Sequence, residues 1–272
     1  MNHAPGAAAP PAATGPAGPA ALRRPLFGIR FNNEAADDLA RRIATEPVPA
    51  GHGPRLVVTA NIDHVVQLAE RPDFRRAYDG AWAATADGWP VVAYARFAGG
   101  YAHGRVTGAD LFPLIAGQLG AEHRIFCLAS GEATAVALAE RLEREGVPPV
   151  LTEVVVPPFG FEEDAAYSEA LARRIRAFGT THLFLGVGAP KSEIWVDRHR
   201  AALGDLYACC FGASLNFYAG TRRRAPRAMQ RLGLEWLWRM MGEPRRLIAR
   251  YGLGAPRYLW LVLRDLLRGG RA

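Results

Sequence analysis

THLFLGVGAPKSEIWVDRHRAALG, residues 181–204, changes character at its middle. The first part, THLFLGVG (181–188), is an apolar run that ends on glycines. From Pro190 onward, charged residues are mixed with apolar ones, as in a helix. A short continuous apolar run suits a strand covered on both faces, and a proline suits the opening turn of a helix. The same change recurs along the chain. RLVVTAN (55–61) precedes IDHVVQLAERPDFRRAYDG, a helix and turn, and WAATADG (82–88) is a strand ending on Asp-Gly. GADLFPLIAGQLGA is helical, and HRIFCLAS (123–130) leads into EATAVALAERLEREG. VLTEVVVP leads into EEDAAYSEALARRIRAFG, and LYACCFGAS (206–214) is the last strand.

Strands that are apolar throughout and alternate with helices argue for a parallel sheet buried on both faces. The expected fold is therefore α/β: a Rossmann-like, mostly parallel sheet with helices on both faces, plus a C-terminal basic amphipathic helical appendage. The 272 residues suffice for one large α/β domain or two smaller lobes. Residues 1–24 are expected to be a disordered Ala/Pro/Gly tail, with no long apolar stretch to serve as a signal peptide. Residues 25–220 form the α/β domain, and residues 221–272 the helical segment.

Charge sets that last segment apart. The whole chain carries a net +7, but residues 222–272 hold 13 arginines against Glu235, Glu243 and Asp265, a surplus of 10 that leaves −3 for the rest. Such asymmetry points to an anionic partner: a membrane surface, nucleic acid or a phosphorylated lipid. No run reaches the roughly 18 apolar residues of a spanning helix. Cys127, Cys209 and Cys210 lie in apolar strands, odd in number, so they read as buried small hydrophobes of a reducing compartment. No metal-ligand spacing is present, and no cofactor is expected.

In parallel α/β sheets, ligands sit at the carboxyl ends of the strands. Those ends carry Thr59 and Asn61, Asp87 and Gly88, Ser130 and Gly131, Gly186 to Lys191, and Gly212 to Asn216. In GVGAPK (186–191), Gly186 and Gly188 permit close backbone approach, and the helix opening at Pro190 favours an anion. Lys191, the only lysine, adds positive charge and Glu193 a carboxylate. The turn reads equally as a phosphate cradle or as a tight strand-to-helix connection. Asp87, ahead of a glycine, is either a helix cap or a general base. Arg105 precedes a helix opening at Gly108, either as a ligand group or as a surface arginine beside a cap at Thr107. There is no D-x-D triplet, so a diphosphate would have to be met by arginines, Lys191 and helix N-termini. A serine hydrolase is disfavoured, because GASLN lacks the last glycine of G-x-S-x-G.

Taken in order, these pieces carry a resemblance. T-x-N (Thr59, Asn61), A-D-G (Asp87, Gly88), R-V-x-G-x-D (Arg105, Gly108, Asp110), P-P-F-G (157–160), G-x-G-x-P-K-x-E (Gly186–Glu193) and the R-A-P…G-L-E-W…E-P-x-R series (Arg224–Tyr251) follow one another. The chain resembles the WecG/TagA/CpsF glycosyltransferases from about Phe27 to Arg268. The resemblance implies an inverting, metal-independent enzyme that moves a sugar from a UDP-sugar to a polyprenyl-diphosphate-linked saccharide. It implies a cytoplasmic enzyme, peripheral on the inner face of the cell membrane, serving surface or exopolysaccharide synthesis. Asp87 matches the family's catalytic base and Thr59 its active-site threonine; Asn61 and Arg105 match further site residues. Gly88, Gly186, Gly188, Pro190, Lys191, Ser192, Glu193 and Asn216 fall where the donor is expected. Two positions depart from the family pattern: Ser192 stands where Gln is usual and Asn216 where Asp is usual. Both departures point to a donor other than N-acetylmannosamine, such as glucose or a uronic acid.

The basic segment then has two expected uses. Arg222, Arg224 and Arg227 are expected at the acceptor's diphosphate. In RYLWLVLRDLLR, Arg257, Arg264 and Arg268 share one helical face, while Leu259, Trp260, Val262, Leu263, Leu266 and Leu267 cover much of the rest. That layout suits an interfacial helix on an anionic membrane surface. The rivals are an Arg-rich nucleic-acid arm, which has less reason to carry so many leucines, and helices that simply pack on the core. The preferred reading has no nucleic acid partner. A homo-oligomer is compatible with the sequence.

Overall fold

The computed structural model describes Leu22 and residues 24–231, 234–242 and 244–269, with side chains described at all of these except 231, 239, 242, 244–253 and 269. The chain runs α1 (Ala36–Thr45), β1 (Arg55–Ala60), α2 (Ile62–Glu70), α3 (Pro72–Asp79), β2 (Ala83–Ala86), α4 (Trp89–Gly99), α5 (Gly108–Ala116), β3 (Ile125–Leu128) and α6 (Glu132–Arg144). It continues through β4 (Thr152–Val155), α7 (Ala165–Ala177), β5 (His182–Leu185), α8 (Lys191–Arg198), α9 (Arg200–Leu203), β6 (Tyr207–Cys210) and α10 (Ser214–Ala219). Three helices close the chain: α11 (Arg227–Arg231), α12 (Glu235–Gly242) and α13 (Pro244–Gly269).

Each of the six apolar runs forms a strand. They make one sheet in the order β2-β1-β6-β5-β3-β4, with every neighbouring pair parallel. Successive side chains of a strand point to opposite faces, and both faces are covered. Leu56, Val58 and Ala60 join Phe126, Leu128, Leu183, Leu185 and Cys210 in one core, under α2, α3, α4, α7 and α8. Val57, Cys127, Phe184 and Cys209 join the other, with α1, α5, α6 and α10. The three thiols are unpaired and buried, and burial pushes each of them up from its ordinary value.

Two local features differ from the sequence reading. Residues 62–79 form two helices, because Pro72 drives Arg71 to extended backbone (φ −118, ψ 103) and then opens α3 itself. α4 follows β2 directly, with a proline in its first turn. Its sequence, WPVVAYARFAG, is apolar on nearly every side, so it lacks the contrast between faces that marks a surface helix.

Because all strands run the same way, their carboxyl ends form a single edge. Asn61, Asp87, Ser130, Gly186 and Phe211 each stand at or just beyond a strand end on that edge.

Candidate active site

One corner of the edge lies at β1 and β2. Thr59 pairs in register with Thr85, and Ala60 with Ala86. Beyond the strands, the Asp87 backbone N–H still donates to the Ala60 carbonyl at 2.8 Å. The sheet register therefore fixes Thr59 and Asp87 on adjoining strands. Gly88 follows with φ +112, a left-handed-side conformation that a side chain would strain, and turns the chain into α4. Asn61 caps α2: its Oδ1 accepts from the N–H groups of Asp63 (3.0 Å) and His64 (3.2 Å). The side-chain nitrogen is then the end of Asn61 that can meet a ligand. The segment around Arg105 is strapped to β2: the Val106 N–H donates to Ala86 O at 3.1 Å, and the Thr85 hydroxyl donates to Val106 O at 2.8 Å. Thr107 and Asp110 form a reciprocal capping box at the head of α5.

The other corner lies at β5, β6 and β3. The Gly186 N–H donates to Leu128 O at 2.7 Å, and Gly188 takes φ +92. Pro190 stands one place before α8, so the helix opens on Lys191 rather than on the proline. The residues expected at the donor sit in this turn, in the first turn of α8 and in α10. Ser192 is buried, and its hydroxyl donates back to Gly188 O at 2.9 Å, tying the glycine turn to the start of α8. Glu193 is 1 % exposed, on the side of α8 that packs inward. Burial pushes its carboxyl up to about 7. The Lys191 ammonium lies 3.9 Å from Glu162 Oε1 and 5.7 Å from the Phe159 ring. Asn216 is buried and its Oδ1 accepts from the Ser130 hydroxyl at 3.0 Å, joining α10 to the end of β3.

Within electrostatic reach of Asp87 and Glu193 is a group the sequence did not single out. Tyr78 is buried on α3, and its hydroxyl lies 2.6 Å from His64 Nδ1. Burial raises the phenol well above its ordinary range, and the nearby charges of Glu193 and Asp87 raise it further. No local motif marks this pair; only the packing of α2 against α3 brings it together.

The C-terminal segment returns to the first corner. Arg224 reaches Asp110 Oδ1 at 2.7 Å, Thr107 Oγ1 at 3.3 Å and Glu235 Oε1 at 3.1 Å. Arg105 pairs with the same Glu235, and the Trp89 indole N–H donates to Gln230 O at 3.3 Å. Of the three arginines expected at a diphosphate, Arg224 comes to Arg105, while Arg222 and Arg227 are exposed. α13 anchors by its inner face. The buried Tyr258 donates to Pro90 O at 2.9 Å, and Asp265 accepts from Tyr94 Oη at 2.6 Å and from the Phe27 N–H at 2.8 Å. Val262 packs on the core, contrary to its expected place on the outer face. Arg257, exposed on the surface, pairs with Glu70 of α2 at 3.0 Å. What remains outside is Leu259 and Leu267, each 66 % exposed, with Trp260, Leu263 and Leu266. Arg264 stacks 5.3 Å from the Trp260 ring centroid, and Arg268 is exposed. Among the described residues, no helix is long and apolar enough to cross a membrane, and no three His, Cys, Asp or Glu stand together as metal ligands.

Residues 24–272 match the family model described as "Glycosyl transferase WecG/TagA/CpsF family". The chain belongs to the WecG/TagA/CpsF glycosyltransferase family. It is similar to an N-acetylglucosaminyldiphosphoundecaprenol N-acetyl-beta-D-mannosaminyltransferase of Staphylococcus aureus (strain MRSA252), 26 % identical over 82 % of this chain and 85 % of the relative. It is similar to a protein of the same name from Bacillus spizizenii, 25 % identical over 89 % of this chain and 91 % of the relative. In this WecG/TagA/CpsF member, T-x-N and A-D-G fall on the adjoining ends of β1 and β2, and R-V-x-G-x-D leads into α5 beside them. The glycine turn lies two strand places along the same edge, after β5. The chain is a glycosyltransferase, and its ordered motifs gather on the carboxyl edge of one parallel sheet.

Proposed function

We propose that the enzyme transfers a sugar from a UDP-sugar to a polyprenyl-diphosphate-linked saccharide in bacterial surface or exopolysaccharide synthesis. The carrying observation is the β1/β2 corner, where Thr59 and Asp87 stand on paired strand ends next to the strapped Arg105 segment. The family match and the lipid diphosphate in the relatives' names support the acceptor class.

In this reading, Asp87 accepts the proton of the acceptor hydroxyl as that oxygen attacks the anomeric carbon. The bond from the anomeric carbon to the diphosphate oxygen breaks on the opposite side, so the configuration inverts and UDP leaves. Lys191 and backbone N–H groups of the glycine turn meet the charge that develops on UDP. The two corners are separated by the width of β6, roughly 10 Å between β1 and β5 at about 4.8 Å per strand step. A nucleotide-sugar, with base, ribose, two phosphates and sugar in a row, is long enough to span them. The absence of a D-x-D triplet supports metal independence. Residues 25–220 act as the catalytic domain, and residues 221–272 complete the site and dock it on the membrane. The exposed leucines and Trp260 of α13, edged by Arg264 and Arg268, suit an interfacial position better than a nucleic-acid groove.

Ser192 and Asn216 are neutral side chains at the positions that depart from the family pattern, and these departures support a donor other than N-acetylmannosamine. The test is a donor screen with a short-chain lipid-diphosphate saccharide, read by UDP release. UDP-glucose or UDP-glucuronate should turn over faster than UDP-N-acetylmannosamine. The reverse ranking refutes the donor reading, and no UDP release with any donor refutes the transferase reading.

A further inference from the structure

Arg105 and Arg224 come from segments more than 100 residues apart and converge on one carboxylate. Arg224 Nε lies 3.1 Å from Glu235 Oε1, and Arg105 Nη1 pairs with Oε2, so each carboxylate oxygen takes one guanidinium. All three side chains are largely withdrawn from water, at 11 % exposure for Arg105, 23 % for Arg224 and 19 % for Glu235. Two arginines placed so that their N–H groups reach the two oxygens of one anion form the arrangement that takes a phosphoryl group.

The two carboxylates of the cluster differ in kind. Asp110 belongs to the scaffold: it accepts from the Thr107 N–H (3.2 Å) and hydroxyl (2.8 Å) and so completes the cap of α5. Glu235 comes from α12, outside the α/β sheet, and sits at that helix's first turn with its oxygens on the arginines.

We propose that Glu235 is the internal ligand of a diphosphate seat built by Arg105 and Arg224, and that the acceptor's diphosphate displaces it. The proposal rests on the reading of the acceptor as a lipid diphosphate. A diphosphate carries more charge and more acceptor oxygens than a carboxylate, so it wins both guanidinium groups, whereas a weaker single anion does not. Glu235 thereby keeps the arginines converged while the seat is empty and sets a threshold against stray anions. Its release frees α12, with Trp236 and Met241 exposed on it, to follow the lipid.

The test titrates inorganic pyrophosphate into the full chain by calorimetry, with inorganic phosphate alongside. Glu235→Gln keeps the side chain's shape but removes the competing charge, and should bind pyrophosphate about tenfold more tightly, as loss of one charge-assisted competitor implies. Adding Arg224→Ala should abolish the gain. A Glu235 that only anchors the segment gives unchanged or weaker binding in Glu235→Gln, which overturns the proposal. Hydrogen exchange on the unmutated chain needs no variant to fold: pyrophosphate should speed exchange in residues 235–242 and slow it in residues 105–110. Slower exchange in both segments overturns the proposal as well. Acceptor-dependent UDP release by the unmutated enzyme is scored separately, so a failed transferase reading is distinguishable from a failed seat.

Discussion

The carboxyl edge of the sheet and the segment after Gly220 hold their arginines and acids in opposite ways. On the edge, side chains are placed by backbone register: Thr59 by its pairing with Thr85, Asp87 by an N–H bond to Ala60, and Arg105 by the straps from Thr85 and Ala86. After Gly220, side chains are placed by one another, through Arg224 with Asp110 and Glu235, Arg257 with Glu70, and Asp265 with Tyr94. Register cannot slip without moving a whole strand, whereas an ion pair can be exchanged for another anion. In the proposed function, proton transfer, which needs fixed geometry, falls to the edge, and substrate capture, which needs yielding geometry, falls to the appended helices.

The sharpest way to break that assignment is Asp87→Asn. The amide keeps the size and placement of the side chain but cannot take the proton, so turnover should fall by about 10²- to 10⁴-fold, the usual worth of a positioned base. Calorimetric affinity for UDP should stay close to that of the unmutated enzyme. Near-normal turnover would move proton transfer away from the edge.

A smaller effect is expected on the outer face of α13. Leu263→Glu with Leu267→Glu places two acids where apolar residues are exposed. Sedimentation with anionic vesicles should drop about tenfold or more, since each buried aliphatic side chain contributes roughly 1.5–3 kcal/mol. UDP release with a short-chain, water-soluble acceptor should be unchanged. Vesicle binding that survives both substitutions would return α13 to a purely packing role.

The third effect concerns stability and belongs to the edge alone. The Glu193 carboxyl is pushed from an ordinary 4.5 up to about 7 by burial. Between those values the folded chain holds a proton that the unfolded chain has lost, so stability falls as pH rises through that window and levels off above it. Glu193→Gln removes this slope and should stabilise the protein above pH 7 by on the order of 3 kcal/mol, with no gain below about pH 4.5. Urea unfolding of both forms at pH 4.5 and pH 8 reads the difference. An equal effect at both pH values would show that Glu193 is not a buried neutral acid.

The same contrast explains what was legible in the sequence. All six strands could be read: burial on both faces writes a largely apolar run in five of them, and β4, half-buried at the end of the sheet, still carries the apolar pair Val154 and Val155. α4 could not, since a helix that is apolar nearly all round has no periodic contrast. Ser192 and Glu193 stand at the head of a helix after a glycine turn, and spacing alone does not say whether a side chain there faces a ligand or the core. The packing of α8 turned both inward. The joining of Arg105, Arg224 and Glu235 left no local trace, because Arg224 and Asp110 are 114 residues apart in the chain and only the fold brings them together.

The most direct single measurement follows UDP release by the full chain with two acceptors that share one saccharide and one short lipid, joined by a diphosphate in one and by a neutral ether in the other. The account predicts release with the diphosphate acceptor and almost none with the neutral one. Equal release with both acceptors would contradict it, since the arginines beside the Asp87 corner would then have no diphosphate to receive.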